Sequence, residues 1–334
     1  MLGGLRRGVK LSIAPTIGQG WLLCRSTALL ARVTASAAGH PKSLCLAAGG
    51  VVALTLMMTM HERYRRLAQL IRVHAVTMTS RTRSGHVGSC LSMAELIAVL
   101  YEGILKADPG NPRWPDRDRF ILSKGHAAAG LYPALAEKGF FSREWMESYY
   151  CDDGRLSGHA NHHVPGVELT TGSLGHGLPV AVGMALAARR EGRRHRIFVL
   201  MSEGDCNEGA TWEAAMLATR HRLGNLVAIV DANGIQALGN VEDIVALEPL
   251  PKKFEAFGWS VREIDGHDVG QVESALLAVP FREDTPSVVV ARTVKGKGLS
   301  DMENTLRAHY RHVPEEKLAK AYQELGVDDA LGVQ

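Results

Sequence analysis

Oxygen-bearing side chains follow two apolar runs near the middle of the chain, and their types suit a hard metal ion. Glu203 and Asp205 come directly after the first run, and Asp231 and Asn233 come after the second. If both runs are parallel strands, their carboxyl ends meet at one sheet edge, which is where such folds bind ligands. Mg²⁺ prefers oxygen ligands and is often shared with substrate phosphates. The pattern therefore predicts a site for a cation and a phosphorylated ligand.

The surrounding pattern predicts the elements that position these side chains. The runs at 197–201 and 226–230 are apolar throughout, which is typical of strands buried on both faces of a parallel sheet. A helical pattern at 211–222 lies between them and completes a strand–helix–strand unit. Further strands are predicted at 118–123 and 287–292. We expect an α/β fold that is doubly wound, with a mainly parallel sheet and helices on both faces.

Two histidines lie where they could contact a ligand. His86 has Gly85 and Gly88 nearby, and glycine lets the backbone approach a ligand closely. A polar loop histidine that caps a helix would look the same. His126 follows the strand at 118–123 and begins a helix, where an anion also meets free backbone N–H groups. Neutral histidine near physiological pH can both accept and donate a proton.

The segment at 92–105 is expected to form an amphipathic helix whose Met and Leu residues belong to the core. Ser92 and Glu95 have the spacing of a capping box, in which each side chain bonds the backbone of the other residue. The sequence therefore predicts that this helix begins at Ser92.

These motifs together resemble the transketolase family over roughly residues 60–314. The segment at 203–214 and Asn233 match its thiamine-diphosphate motif without a gap. The Ser-x-Gly-His at 123–126, the run at 164–177 and the Met-Glu-Asn…His segment at 302–309 match further family motifs. Several separate matches are far more specific than one pattern. His267, within the family's Asp-Gly-His-Asp signature, is expected to be structural.

The resemblance implies a role for each matched position. Glu203, Asn233 and the carbonyl group of Ile235 would hold the metal that grips the diphosphate of thiamine diphosphate. The positions implied for cofactor binding are His126, Gly172, Ser173, Leu174, Gly204, Asn233 and His309. Those implied for catalysis are His86, His159 and His309, around the substrate, and Glu208, which couples paired sites across a dimer.

Glu203 departs from the family, which has Asp at the metal position. Making Asp205 the ligand instead would keep the Asp but move it away from the strand end and break the match at Glu208. We therefore assign the metal to Glu203 and expect Mg²⁺ in a looser site, in which the larger Ca²⁺ or Mn²⁺ is better tolerated. Ala160 and His176 also differ from the family, which affects the substrate contacts expected there.

Composition excludes several classes of protein. The charged fraction of 22% and the hydrophobic fraction of 46% are ordinary for a globular protein. A formal charge of +3 without a basic-aromatic stripe does not favour a nucleic-acid partner. The five cysteines form no CxxC pair, which favours a reduced intracellular protein, and we expect it in the cytoplasm.

The resemblance suggests three segments. Residues 1–59 lack an acidic residue and are expected to be a dispensable leader or the result of a mis-set start; the uncharged run at 43–60 is the alternative, a targeting or membrane segment. Residues 60–314 would form the diphosphate-binding domain and residues 315–334 a helical tail. The family's pyrimidine-binding domain is expected on a second polypeptide, which would make the enzyme a hetero-oligomer.

The function implied by the resemblance is transfer of a two-carbon ketol unit from a ketose phosphate to an aldose phosphate. Two alternatives remain. Another enzyme that uses thiamine diphosphate, such as a deoxyxylulose-phosphate synthase or a 2-oxo-acid dehydrogenase component, would share the central motif. A cofactor-binding or regulatory protein without catalysis would account for the substitution at Glu203.

Overall fold

A five-stranded parallel sheet forms the centre of the chain. The computed structural model describes residues 58–328. In chain order the strands are β1 (Arg119–Leu122), β2 (Ile197–Ser202), β3 (Leu226–Ala232), β4 (Ser260–Asp265) and β5 (Ser287–Arg292). The strand order across the sheet is β1-β2-β3-β5-β4, and every neighbouring pair is parallel.

Both faces of the sheet are covered, which explains why its central strands are apolar until they reach their carboxyl ends. Phe198 and Leu200 of β2 pack into one buried layer, whereas Val199 and Met201 pack into the other. Successive strand residues point to opposite faces, so a strand with two buried faces cannot alternate with polar residues. The predicted doubly wound α/β fold is therefore confirmed.

Helices form the two layers around the sheet. The helices are α1 (Met60–Thr82), α2 (Val87–Ser92), α3 (Ala94–Val99), α4 (Ala128–Glu137), α5 (Gly177–Arg190), α6 (Gly209–Arg220), α7 (Val241–Ile244), α8 (Leu250–Ala256), α9 (Val269–Leu277), α10 (Arg307–Tyr310) and α11 (Leu318–Glu324). Of these, α1, α3, α4 and α9 contribute to one layer and α5, α6 and α8 to the other. None of these helices, within residues 58–328, combines the length and apolar character needed to cross a membrane.

The predicted amphipathic helix at 92–105 is wrong in its start and in its exposure. Ser92 ends α2 instead of capping a helix, and a break at Met93 separates α2 from α3. Ser92 Oγ lies 2.6 Å from Asp231 Oδ2 in the interior, so it is unavailable as a cap. Every residue of α3 is buried, because the helix lies inside the layer and not on its surface. A short π-helical turn, Leu100–Ile104, follows.

Glu95 joins three elements through a buried ion pair instead of capping a helix. Its two carboxylate oxygens each lie 2.6 Å from a guanidinium nitrogen of Arg72 on α1. His267, after β4, has Nδ1 3.0 Å from Glu95, and its Nε2 accepts from the Val294 N–H at 2.9 Å. His267 is thus structural within this region, as the sequence predicts.

We expect Glu95→Ala to lower the free energy of unfolding by about 3 kcal/mol, because it leaves the Arg72 charge buried without its partner. Burial alone would raise the pKa of Glu95, but the hydrogen bond from His267 and the charge of Arg72 outweigh it and hold that pKa at about 2. The stabilisation is therefore complete above the ordinary carboxyl pKa of about 4.3 and is lost as the pH falls towards 2. Urea unfolding across this pH range measures both effects. The exposed Glu144 provides the control, and equal curves for Glu95→Ala and Glu144→Ala would contradict the prediction.

Of the two predicted terminal segments, the C-terminal one lies mostly within the described residues and the N-terminal one does not. The leader expected at 1–59 lies outside the described residues except for its last two positions. In the tail expected at 315–334, α11 packs beside α1: Tyr322 and Leu325 share a buried cluster with Leu70, Val73 and Val76. The tail is therefore part of the packed structure as far as residue 328.

Candidate functional site

A cavity of about 220 Å³ opens at the carboxyl end of the sheet. The strand register produces it: Ser202 pairs with Asp231, so β2 and β3 end side by side, and β1 and β5 end next to them. Side chains that follow all four strands therefore converge. The cavity is lined by His86, Ser89, Lys124, His126, His159, Gly172, Leu174, Ser202, Glu203, Gly204, Asn233, Ile235, Gln236, Ala237, Lys295 and His309.

Four histidines from separate segments meet in this cavity. The ring of His86 lies 5.0 Å from that of His126, 5.1 Å from that of His309 and 6.2 Å from that of His159, measured between ring centres. The backbone of His86 has a φ of 70°, and its N–H donates to the carbonyl oxygen of His309 at 2.8 Å. That bond joins the start of α2 to α10, which is far from it in sequence. All four histidines that the sequence selects are thus brought together.

The surroundings keep three of these histidines neutral. Burial, followed by the charge of Lys124, holds the pKa of His126 well below its ordinary value. Burial and the neighbouring Lys295 lower the pKa of His309 to about 3, and burial lowers the pKa of His86 in the same direction. A neutral imidazole has one N–H donor and one acceptor nitrogen. The cluster can therefore offer both hydrogen-bond donors and acceptors to hydroxyl groups near neutral pH.

The oxygens predicted to bind a metal face the same cavity. Glu203 Oε2 accepts from the Gly234 N–H at 2.7 Å, and Asn233 Oδ1 accepts from the Ile235 N–H at 3.2 Å. The carbonyl oxygen of Ile235 accepts from Lys295 Nζ at 3.1 Å. Burial raises the pKa of Glu203 to about 7. No group of three His, Cys, Asp or Glu side chains within residues 58–328 could hold a metal, and the predicted set contains only one such side chain.

These residues fit a metal ion that is shared with an anion. Carboxylate, amide and carbonyl oxygens form the hard ligand set that Mg²⁺ prefers, and a cation would favour the ionised form of Glu203. Lys295 is 2% exposed, and burial lowers its pKa to about 7. Its hydrogen bonds within the described chain go to Ile235 and His309, with no carboxylate among them. An anion in the cavity would therefore offset the cost of burying this ammonium group.

Asp205, the other carboxylate considered for the metal, is turned away from the cavity and fully buried. It accepts from Ser123 Oγ at 2.5 Å, from the Gly175 N–H at 2.9 Å and from the Ser202 N–H at 2.7 Å. Its oxygens tie the ends of β1 and β2 to the Gly175 turn. Of the two acids, Glu203 is the one that lines the cavity.

The remaining predicted positions divide between the cavity and the surface. Gly172, Leu174 and Gly204 line the cavity, and a Cβ at Gly204 would lie 2.9 Å from Leu174 Cδ1, so a side chain there would press on the cavity wall. Ser173 is exposed and does not line it. Glu208 is also exposed, and it packs beside Gly175, outside the cavity.

Sequence reasoning missed two buried lysines of the site. Lys124 is fully buried, forms an ion pair with Asp231 and donates to the carbonyl oxygen of Ser89 at 3.1 Å. Lys295 lies beside His309, with 2.9 Å between Nζ and Nδ1. Both lysines come within three residues of a strand's carboxyl end, as Glu203 and Asn233 do. The rule that selected those two residues would have found the lysines if basic side chains had been included.

Comparison with known proteins gives consistent matches. The family model for the transketolase, thiamine diphosphate binding domain matches residues 63–333. The chain is 40% identical over 267 residues to a subunit of the apulose-4-phosphate transketolase of Actinobacillus succinogenes, covering 79% of this chain and 96% of the relative. It is 40% identical over 264 residues to the 6-deoxy-6-sulfo-D-fructose transketolase subunit of a Clostridium species, with the same coverage of each.

A solved structure matches the fold as well. The transketolase of Campylobacter jejuni superimposes with a TM-score of 0.76 at 33% identity, over 79% of this chain. The chain spans only 43% of the length of that enzyme.

Proposed function

Because the chain belongs to the transketolase family, by its thiamine diphosphate binding domain, we propose that it is one subunit of a two-polypeptide transketolase. The proposed reaction moves a two-carbon ketol unit from a ketose phosphate to an aldose phosphate. The observation that carries this proposal is a single cavity that combines an oxygen ligand set, buried lysines and four clustered histidines. A cofactor-binding protein would need the first two features but not a set of neutral histidines.

The oxygen set and the lysines define the proposed binding of the diphosphate. Glu203, Asn233 and the Ile235 carbonyl group would hold Mg²⁺, and His126 would donate to a diphosphate oxygen. Gly172 and Leu174 would lie beneath the rings. When bound, thiamine diphosphate supplies the electron sink for breaking and forming the carbon–carbon bond next to a ketose carbonyl. The protein supplies binding, orientation and electrostatics.

The histidines define the proposed contacts with the sugar. His86, His159 and His309 would each form a hydrogen bond with a substrate hydroxyl, because a neutral imidazole offers one N–H donor and one acceptor nitrogen. His86 lies 6.2 Å from His159 and 5.1 Å from His309 between ring centres, so one substrate molecule could contact all three rings. Burial lowers the pKa of His86 and of His309, so both rings are neutral and neither places a positive charge beside the substrate.

A second subunit is part of the proposal. The two relatives that this chain covers almost completely are named as transketolase subunits, and the solved transketolase is more than twice as long as the matched segment. We propose that the partner carries the pyrimidine-binding domain and completes the site. Heteromeric assembly in the cytoplasm would be the working form.

Calorimetric titration with thiamine diphosphate and Mg²⁺ tests this function, both on the purified chain and on its mixture with the candidate partner. We expect weak binding by the chain alone, tight binding by the mixture, and ketol transfer between sugar phosphates only in the mixture. Robust transfer by the chain alone would refute the two-polypeptide form. Tight binding without transfer by the mixture would instead support the cofactor-binding alternative.

Glu203→Asp is expected to tighten Mg²⁺-dependent cofactor binding by about tenfold, because Mg²⁺ demands near-octahedral geometry and the longer Glu places its carboxylate less well. The wild-type chain should also accept Mn²⁺ or Ca²⁺ with less loss than the Asp variant. Titrations with each metal measure both effects. Glu242→Asp, on an exposed residue of α7, is the matched control. Weaker binding by Glu203→Asp would show that the site is built for Glu.

A further inference from the structure

Lys295 lies between two parts of the site that the proposed function treats separately, the metal loop and the substrate histidines. We call residues 233–240 the metal loop. The Lys295 ammonium group donates to the carbonyl oxygen of Ile235 in this loop at 3.1 Å, and its Nζ lies 2.9 Å from His309 Nδ1. The side chain is 2% exposed, so water does not compete for these contacts.

The backbone on either side of Lys295 is also fixed. Its carbonyl oxygen accepts from the Asn304 N–H at 2.9 Å, and the next residue, Gly296, donates its N–H to the carbonyl oxygen of Gly88 at 3.1 Å. Gly296 has a φ of 79°, and a Cβ there would lie 2.5 Å from the carbonyl oxygen of Met302. The backbone that carries the Lys295 side chain is therefore held in place by contacts within the chain.

The chemistry of an ammonium group determines what the second contact does. A charged lysine has three donors and no acceptor. While Lys295 is charged, His309 Nδ1 is the acceptor, which places the proton of the neutral ring on Nε2. The opposite ring nitrogen therefore becomes an N–H donor.

We infer that Lys295 is a positioning residue that fixes the tautomer of His309 and, through the same ammonium group, holds the Ile235 carbonyl group of the metal loop. This inference rests on the proposed function for its consequence, because a ring with Nε2–H can donate to a substrate hydroxyl. Its structural content concerns the free chain alone. One side chain thus links the place of the cation to a hydrogen-bond donor near the substrate.

NMR of isotope-labelled histidine in the purified full chain, in mildly acidic buffer, tests the inference without any cofactor. His309→Asn assigns the signal. In the wild type we expect an acceptor-type shift for Nδ1 and an N–H shift for Nε2. Lys295→Met removes the donor but keeps a side chain of similar length. In this variant the His309 Nδ1 signal should move towards the average of two exchanging tautomers. Amide hydrogen exchange in the metal loop should also accelerate.

Lys297→Met is the matched control, since Lys297 belongs to the same segment but its side chain is 39% exposed and lies 3.5 Å from Glu303. We expect its histidine spectrum to match the wild type. An unchanged His309 spectrum in Lys295→Met would overturn the inference. If that variant fails to fold, His309→Phe tests the same contact, because the labelled Lys295 ammonium signal should shift. An unchanged Lys295 ammonium signal in His309→Phe would also overturn the inference.

The assembled enzyme gives a second readout. Lys295→Met should lower kcat by about tenfold, with a smaller change in the donor KM, as expected when a positioned hydrogen bond is lost mainly from the transition state. If the wild-type chain binds no thiamine diphosphate with any partner, the proposed function fails while the NMR result on the free chain still stands. The two claims are therefore separable.

Discussion

Asn233→Ala is expected to reduce Mg²⁺-dependent binding of thiamine diphosphate by at least about 100-fold. The variant removes a proposed metal ligand. It also removes the acceptor for the Ile235 N–H, at 3.2 Å in the wild type, so the neighbouring carbonyl ligand loses its support. Loss of one of three protein oxygens, with weaker support for the loop that carries a second, leaves a cation with too few fixed ligands. Calorimetry with the partner present measures the change.

Asn240→Ala provides the control for this variant. Asn240 is the last residue of the same loop and is exposed. Within the described chain, its side chain donates one hydrogen bond, to Asp243 at 2.9 Å. We expect its binding to stay within a small factor of the wild type. Near-normal affinity in Asn233→Ala would remove Asn233 from the metal site. Glu203→Ala should also lose binding while it keeps the fold, whereas Asp205→Ala should lose stability first, because four donated hydrogen bonds lose their acceptor.

Asp231→Ala should destabilise the chain by about 5 kcal/mol, the upper end of the effect for breaking a buried ion pair. Asp231 and Lys124 are both completely buried and form an ion pair, and Asp231 also accepts from Ser92 and Thr293. Removal of the carboxylate leaves an uncompensated ammonium group in the interior. Since natural domains are stable by only about 5–15 kcal/mol, much of the variant should be unfolded.

The same pair predicts a dependence on pH. Burial alone would raise the pKa of Asp231, but Lys124 and the hydroxyl donors outweigh it and lower that pKa. The stabilisation is therefore present above the ordinary Asp pKa of about 3.9 and is lost as the pH falls below it.

Urea unfolding is the measurement, with two comparisons. Lys124→Met combined with Asp231→Leu should recover most of the loss, because apolar residues of similar size avoid both buried charges. Asp301→Ala breaks an exposed pair with Lys317 and Lys320 and should change stability by less than about 1 kcal/mol. A double variant that is less stable than Asp231→Ala would contradict the account of this pair.

The fold could be predicted well from the sequence where one physical rule acted alone. Strands buried on both faces need continuous apolar runs, so the predicted β2 and β3 agree with the structure within one or two residues of their bounds. The preference for Glu203 over Asp205 came from the gap-free match to the family and from its position at the strand end, and the structure places Glu203 in the cavity and Asp205 in the interior.

Prediction failed where one residue type serves two purposes. Ser92 and Glu95 have the spacing of a capping box, yet Ser92 contacts Asp231, which is distant in sequence, and Glu95 contacts Arg72. Local spacing cannot distinguish a cap from a buried polar network whose other half lies elsewhere in the chain. Lys124 was missed for a related reason, because a lysine is expected at the surface until its partner is known.

The hydrogen bonds of the metal loop have a consequence for the thermodynamics of binding. Glu203, Asn233 and the Ile235 carbonyl group are each held by a donor from the protein before any cation arrives. The entropy of ordering these oxygens is therefore lost during folding and does not oppose association. Because the loop is preorganised in this way, we expect it to move little when the ligand binds. The heat capacity change of binding should then reflect mainly the burial of the cofactor rings. It also means that a substitution that loosens the loop can weaken affinity without touching any ligand atom.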